Sequence, residues 1–258
     1  MWRDLLFSRH IAWRLFLRDF SAQYRVSFLG YAWAFLPPLL NSFIFVFLNS
    51  QGLLRGGSGG GPYPLFALTG TILWQLFADS LMMPLTVLQQ SKSMLARLNF
   101  PRESVILSGL LGLLVTLGIR LLLLAGMMAY YGVTPTFHLL LLPFSLLALC
   151  LAGLALGLII APLGILFGDV GRLLSMVLPF WMLLTPVIYP ARSHGMTAMI
   201  AAWNPVSPLI ITARSLLAGS APEYLLPSLA VTAGALILLM LGWLGFRLGM
   251  PHLVARMG

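Results

Sequence analysis

Long apolar stretches recur along the chain at residues 27–49, 64–88, 105–131, 139–167, 173–190 and 224–246, separated by short segments that carry nearly all the charge. Each is close to the roughly 20 residues a helix needs to cross the hydrocarbon core of a bilayer, so the pattern predicts six membrane spans. Pro37, Pro38, Pro84, Pro143, Pro162, Pro179 and Pro186 fall inside these stretches. Helices in lipid tolerate proline where neighbours satisfy the freed carbonyls, and kinks are expected there. No stretch repeats another at a fixed period, which argues against internal duplication.

Ahead of the first span the pattern changes. At helical period, residues 2–20 place Trp2, Leu5, Leu6, Trp13, Phe16, Leu17 and Phe20 on one broad face, with Arg3, His10, Arg14 and Arg18, and later Arg25, opposite. This is the pattern of a helix lying in the membrane interface, with Arg9 snorkelling from the apolar face to the headgroups. The same arginines interrupt any apolar core a signal peptide would need, so the segment is expected to stay in the mature chain. The N-terminal segment, loops 89–104 and 168–172, and the tail from Arg247 hold eleven of the fifteen Lys and Arg residues. The positive-inside rule therefore puts both termini in the cytoplasm and segments 51–63 and 191–222 outside. The second outer segment is partly apolar and carries Pro205, Pro208 and Pro222, so short helices dipping back into the outer leaflet are expected.

Composition excludes a water-soluble globule: 60% of the 258 residues are hydrophobic and 8% charged, against roughly 25% charged in soluble domains. In such a chain the net charge of +9 belongs to membrane topology and not to nucleic acid. The lone cysteine, Cys150, lies in an apolar run and supports neither a disulfide framework nor a Cys-based metal site.

Catalytic motifs are absent or accidental. Gly56-Gly57-Ser58-Gly59-Gly60 matches G-x-S-x-G in letters only, since a nucleophile elbow needs a strand before it and a helix after it. The single lysine, Lys92, has no glycine-rich approach, so there is no P-loop, and any work done on ATP requires another chain. His10, His138, His194 and His252 are dispersed, with no metal-ligand spacing. Asp79 and Arg120 are the ionisable residues deep in apolar sequence, where an unpaired charge costs at least about 2.5–3.5 kcal/mol. Either they pair, with Arg120 reaching down, or they face a cavity, or they couple ions. In loop 89–104, residues 91–99 form either a short docking helix with Leu95 and Leu98 on one side, stopped by Pro101, or an interfacial loop with its basic residues on headgroups.

Several blocks, in order, resemble the membrane permeases of type-2 ABC exporters, in the branch that exports O-antigen, capsule and teichoic-acid polysaccharides. They are Arg18-Asp19-Phe20, then Tyr24 to Trp33 with Pro37, then Gly70 and Trp74-Gln75-Leu76-Phe77. Asn99-Phe100-Pro101-Arg102, Phe167-Gly168-Asp169-Val170, Thr185-Pro186-Val187-Ile188-Tyr189-Pro190, Asn204-Pro205 and Arg214 follow. Gly168 departs from the resemblance, standing where the family usually has arginine.

The resemblance implies an all-α polytopic permease with six transmembrane helices, an N-terminal interfacial helix and re-entrant outer gate helices between spans five and six, forming one domain over residues 1–258. It implies a second copy of the chain, two ATPase subunits that carry ATP and Mg, a lipid-linked glycan as substrate, and residence in the bacterial inner membrane. This chain itself would bind no cofactor. Coupling to the ATPase would involve Lys92, Leu95, Arg97, Leu98, Arg102, Glu103 and Asp169. The first and fifth spans would line the conduit, and because sugar rings stack on aromatics, Tyr31, Trp33, Trp181 and Tyr189 are the candidate wall residues. For Tyr31 and Trp33, anchoring at the interface is the competing reading. Trp203, Asn204, Pro205 and Arg214 would belong to the outer gate. The rival functions are export of a drug or small lipid, and an ion-coupled transporter using Asp79 and Arg120. Dependence on a co-encoded ATPase separates the last from the others.

Overall fold

The computed structural model describes residues 2–25, 32–51, 62–92, 94, 103–134, 136–190, 196–222 and 224–255. Its regular elements are helical throughout: α1 (Trp2–Arg25), α2 (Ala32–Ser50), α3 (Tyr63–Gln90), α4 (Glu103–Tyr130), a 3-10 turn (Phe137–Leu141) leading into α5 (Leu142–Leu166), α6 (Asp169–Leu184), α7 (Met196–Trp203), α8 (Val206–Leu217) and α9 (Leu225–Ala255). Among the described residues, four helices are long and apolar enough to cross a membrane: Tyr63–Gln90, Glu103–Tyr130, Phe137–Leu166 and Leu225–Gly249. Phe35–Ser50 and Val206–Leu217 are shorter apolar helices.

Helix α3 is the centre of the molecule. It packs on α2, α4, α5, α6 and α8, while α9 lies against the far side of α5. The α3–α5 contact is close because Gly153 and Gly157, one turn apart on α5, let the two backbones approach. A Cβ at Gly153 would sit 2.5 Å from the Phe77 carbonyl, and one at Gly157 would collide with the Leu81 carbonyl. Small residues at such spacing let van der Waals contact replace the hydrophobic drive that lipid does not supply.

Two elements differ from the sequence pattern. The apolar run 173–190 is not one helix: α6 begins at Asp169 and ends at Leu184, and the chain from Thr185 to Ile188 is buried irregular backbone. Pro186 is the cause, since it disfavours helix at Thr185 and supplies no amide proton. On α1, the buried stripe is Ala12, Leu15 and Phe16, against α4, whereas Trp13 and Leu17 remain exposed. The single broad face read from the sequence is therefore divided, part facing protein and part left open beside Arg14 and Arg18. At the C-terminus α9 runs on as helix through Arg247 to Ala255.

Candidate functional site

The site grows from the break after α6. Irregular backbone at membrane depth is tolerated only when protein satisfies its polar groups. Arg214, on α8, donates from Nη1 to the Pro186 carbonyl (2.9 Å) and from Nη2 to the Val187 carbonyl (2.5 Å). Its guanidinium also lies 3.8 Å from the centre of the Phe66 ring, a cation–π contact. The Tyr63 hydroxyl donates to the Ile188 carbonyl at 3.0 Å. Three consecutive carbonyls are thus served by side chains from α3 and α8. Gly70 completes the clamp, because a Cβ there would collide with both the Arg214 guanidinium and the Val187 carbonyl.

A second network ties α6 to the start of α8. Asn204 donates to the Thr185 hydroxyl (2.7 Å), while its Oδ1 accepts from the Trp181 indole (3.2 Å) and from the Val206 amide (3.1 Å). The Trp181 ring stands edge-on to Trp74 and Phe77, with centroids 6.0 and 5.2 Å away. Its remaining surface lines a groove shared with Leu184, Met199, Trp203 and Pro205. Tyr189 donates to the Leu183 carbonyl at 3.2 Å. Trp203 is largely exposed at the end of α7. Apart from Leu178 and Met182, the side chains of α6 are incompletely covered, and Leu173, Met176, Phe180 and Leu184 form a broad apolar surface.

Deeper in the bundle Arg120 donates to Asp79 at 2.6 Å, so the two intramembrane charges pair across α3 and α4. Above them Ser42 and Thr71 share a hydrogen bond between α2 and α3.

At the other end of α3, a cleft of about 600 Å³ opens between α3 and the start of α6, with Thr86 and Gln89 facing Gly171, Arg172 and Ser175. Gln89 donates to the Gly164 carbonyl at 3.0 Å and so fixes the end of α3 to α5. Arg172 and Asp169 form an exposed pair at 3.2 Å. Lys92 is exposed just beyond α3, and Glu103 opens α4, partly buried. Arg18 pairs with Asp19 and also reaches the Met94 sulfur at 3.3 Å, linking α1 to the segment after α3.

The structure gathers Trp181, Asn204 and Arg214 around one segment. It holds Asp79 with Arg120, and leaves Lys92, Glu103 and Asp169 on separate elements. Trp33 lies in the first turn of α2. Tyr31, Leu95, Arg97, Leu98 and Arg102 lie outside the described residues. Sequence reading passed over Tyr63 and Phe66, which carry no motif, and met Thr185 only as the first residue of the block ending at Pro190. It also passed over Gly153 and Gly157, although their G-x-x-x-G spacing is a legible signal for helix packing in lipid. No group of three or more His, Cys, Asp or Glu residues suited to a metal ion occurs among the described residues.

Residues 11–218 match the family profile described as ABC-2 type transporter. An O-antigen export system permease protein, RfbA, of Myxococcus xanthus is 28% identical over 244 residues, covering 92% of this chain and 91% of its own length. A protein of the same name from Klebsiella pneumoniae is 25% identical over 213 residues, 80% of each chain.

Proposed function

The chain belongs to the ABC-2 type transporter family and is an integral membrane protein, and on that premise we propose that it is the permease of an ATP-driven exporter of O-antigen-type, lipid-linked polysaccharide. The observation that carries this reading is the similarity to O-antigen export permeases along 92% of the chain. In this reading two copies pair around a conduit in the inner membrane, with both termini cytoplasmic. A separate ATPase subunit, two copies per transporter, binds ATP and Mg. The helices α2 to α6 and α9 serve as six spans, with α2 and α6 at the conduit. The broad uncovered surface of α6 is consistent with a place against a second copy or the conduit. Helices α7 and α8 act as the outer gate, re-entering the outer leaflet, and residues 91–99 dock on the ATPase.

The test is complementation in a strain lacking this chain, with surface glycan as the readout. Restored glycan display that requires both this chain and the co-encoded ATPase supports the reading. Display driven by the proton gradient alone refutes it. Leu95→Asp is expected to leave the permease inserted and to uncouple ATP hydrolysis from export, because it puts a charge where an apolar docking contact is proposed. Normal export by that variant favours a headgroup-bound loop.

A further inference from the structure

We infer that the polar wall of the conduit is a stripe on α3, formed by Gln75, Asp79, Thr86 and Gln89, and that it hydrogen-bonds the hydroxyl groups of a passing glycan chain. This rests on the reading of the protein as a glycan exporter and adds a contact surface to it.

The argument begins with coverage. Helix α3 is the most enclosed of the candidate spans. From Ala67 to Gln90 its incompletely buried positions are Gln75, Ala78, Asp79, Met82, Thr86, Val87, Gln89 and Gln90, and a series runs through them at Gln75, Asp79, Met82, Thr86 and Gln89. These are spaced four, three, four and three residues apart, which puts them on one side of a helix. The uncovered side of the central helix therefore carries an amide, a carboxylate, a hydroxyl and a second amide, with Ala78 and Met82 between them.

The uncovered surfaces of the other long helices differ in kind. Helix α9 exposes Ile237, Leu238, Met240 and Leu241, and α4 exposes Leu122. Those faces suit acyl chains. A stripe holding a carboxylate and two amides does not, because polar groups in hydrocarbon are expensive and belong against protein or in water-filled cavities.

The groups on the stripe also keep hydrogen-bonding capacity. Asp79 uses Oδ2 on Arg120, yet 46% of its side chain is exposed. Gln75 is only partly covered, and its Oε1, itself buried, has no hydrogen-bond partner. Thr86 donates its proton to the Met82 carbonyl, which leaves its oxygen as an acceptor. Gln89 donates one N–H to Gly164 and retains its amide oxygen. Carboxylate, amide and hydroxyl oxygens are the groups that pair with sugar hydroxyls, and the Asp79–Arg120 pairing cancels the charge that would hold one glycan fast. At its lower end the stripe runs into the cleft of about 600 Å³ beside Arg172 and Ser175, so the polar path continues to the end of α3.

The experiment uses the whole permease–ATPase complex in membranes during export, with Cys150→Ala as background. Single cysteines replace Gln75, Thr86 and, as a lipid-facing control, Ile237, and a small membrane-impermeant thiosulfonate is the probe. The expected result is that positions 75 and 86 label severalfold faster than 237, and that Gln75→Leu and Thr86→Val each slow export severalfold in an assembled complex. Labelling no faster than at 237 overturns the inference, as does unchanged export by both apolar variants. Disulfide formation between the two copies at position 75, without labelling, also overturns it by showing that a second copy covers the stripe. Glycan export with an unlabelled stripe sinks only this inference, whereas undiminished glycan display in a strain lacking the chain sinks the exporter reading itself.

Discussion

Arg120 and Asp79 meet at 2.6 Å, but 10% of the Arg120 side chain is exposed against 46% of the Asp79 side chain. The two ends of this ion pair therefore fail differently when the partner is removed. Asp79→Leu strands a guanidinium where water scarcely reaches and is expected to destabilise by about 3 kcal/mol, the low end for breaking a buried pair. Arg120→Met leaves a carboxylate on the more open end of the pair, and the expected loss is smaller than for Asp79→Leu. Thermal unfolding of the purified complex distinguishes them, and equal losses would refute the asymmetry. The double variant should recover part of the Asp79→Leu loss.

Gly70 and Arg214 act on the same segment, since a Cβ at position 70 would occupy the space of the Arg214 guanidinium and the Val187 carbonyl. Gly70→Ala is expected to cost about 1–3 kcal/mol, as overpacking does in a filled interior. Combined with Arg214→Ala it should cost less than the sum, because both release the 186–187 carbonyls. Additive losses in the melting profiles of the four proteins would show that the two positions act separately. Arg214→Lys should behave like a partial loss, since an ammonium lacks the planar fork that spans two carbonyls.

The α3–α5 contact predicts a sharp contrast between glycines. Gly157→Ala drives a methyl group into the Leu81 carbonyl, which as backbone cannot yield, and should lower the amount of assembled permease in the membrane. Gly126→Ala on α4 meets nothing within 4 Å and should be neutral, or gain up to about 1 kcal/mol from helix propensity. Similar expression of the two variants would contradict the packing argument.

Trp181 separates two contributions. Trp181→Phe keeps an aromatic ring near Trp74 and Phe77 but loses the indole donor to Asn204, a change of about 1 kcal/mol. Trp181→Ala loses the ring contacts as well and should reduce export of long glycans while the ATPase still assembles. If the alanine variant exports normally and a cysteine at 181 proves lipid-facing, α6 does not line the conduit.

Much of this architecture is legible from hydrophobic pattern alone. A bilayer admits few ways of satisfying a backbone, so an apolar run such as 105–131 or 139–167 identifies a helix nearly to its ends. An intramembrane Asp79 and Arg120 announce that they need partners, and G-x-x-x-G at Gly153 and Gly157 announces a close contact. What the pattern could not decide is which neighbour each residue meets. That Arg120 reaches Asp79, that Arg214 closes on the carbonyls of Pro186 and Val187, and that Phe16 faces protein while Trp13 remains exposed all depend on helices brought together from distant parts of the chain. The apolar run 173–190 shows the limit most plainly. Hydrophobicity carries through Pro186 unchanged, so the run reads as one span, but Pro186 stops the helix at Leu184 and the backbone beyond finds its hydrogen bonds on α3 and α8. Local sequence sets which segments must be helical in lipid, whereas the satisfaction of an irregular backbone is a property of the assembled bundle.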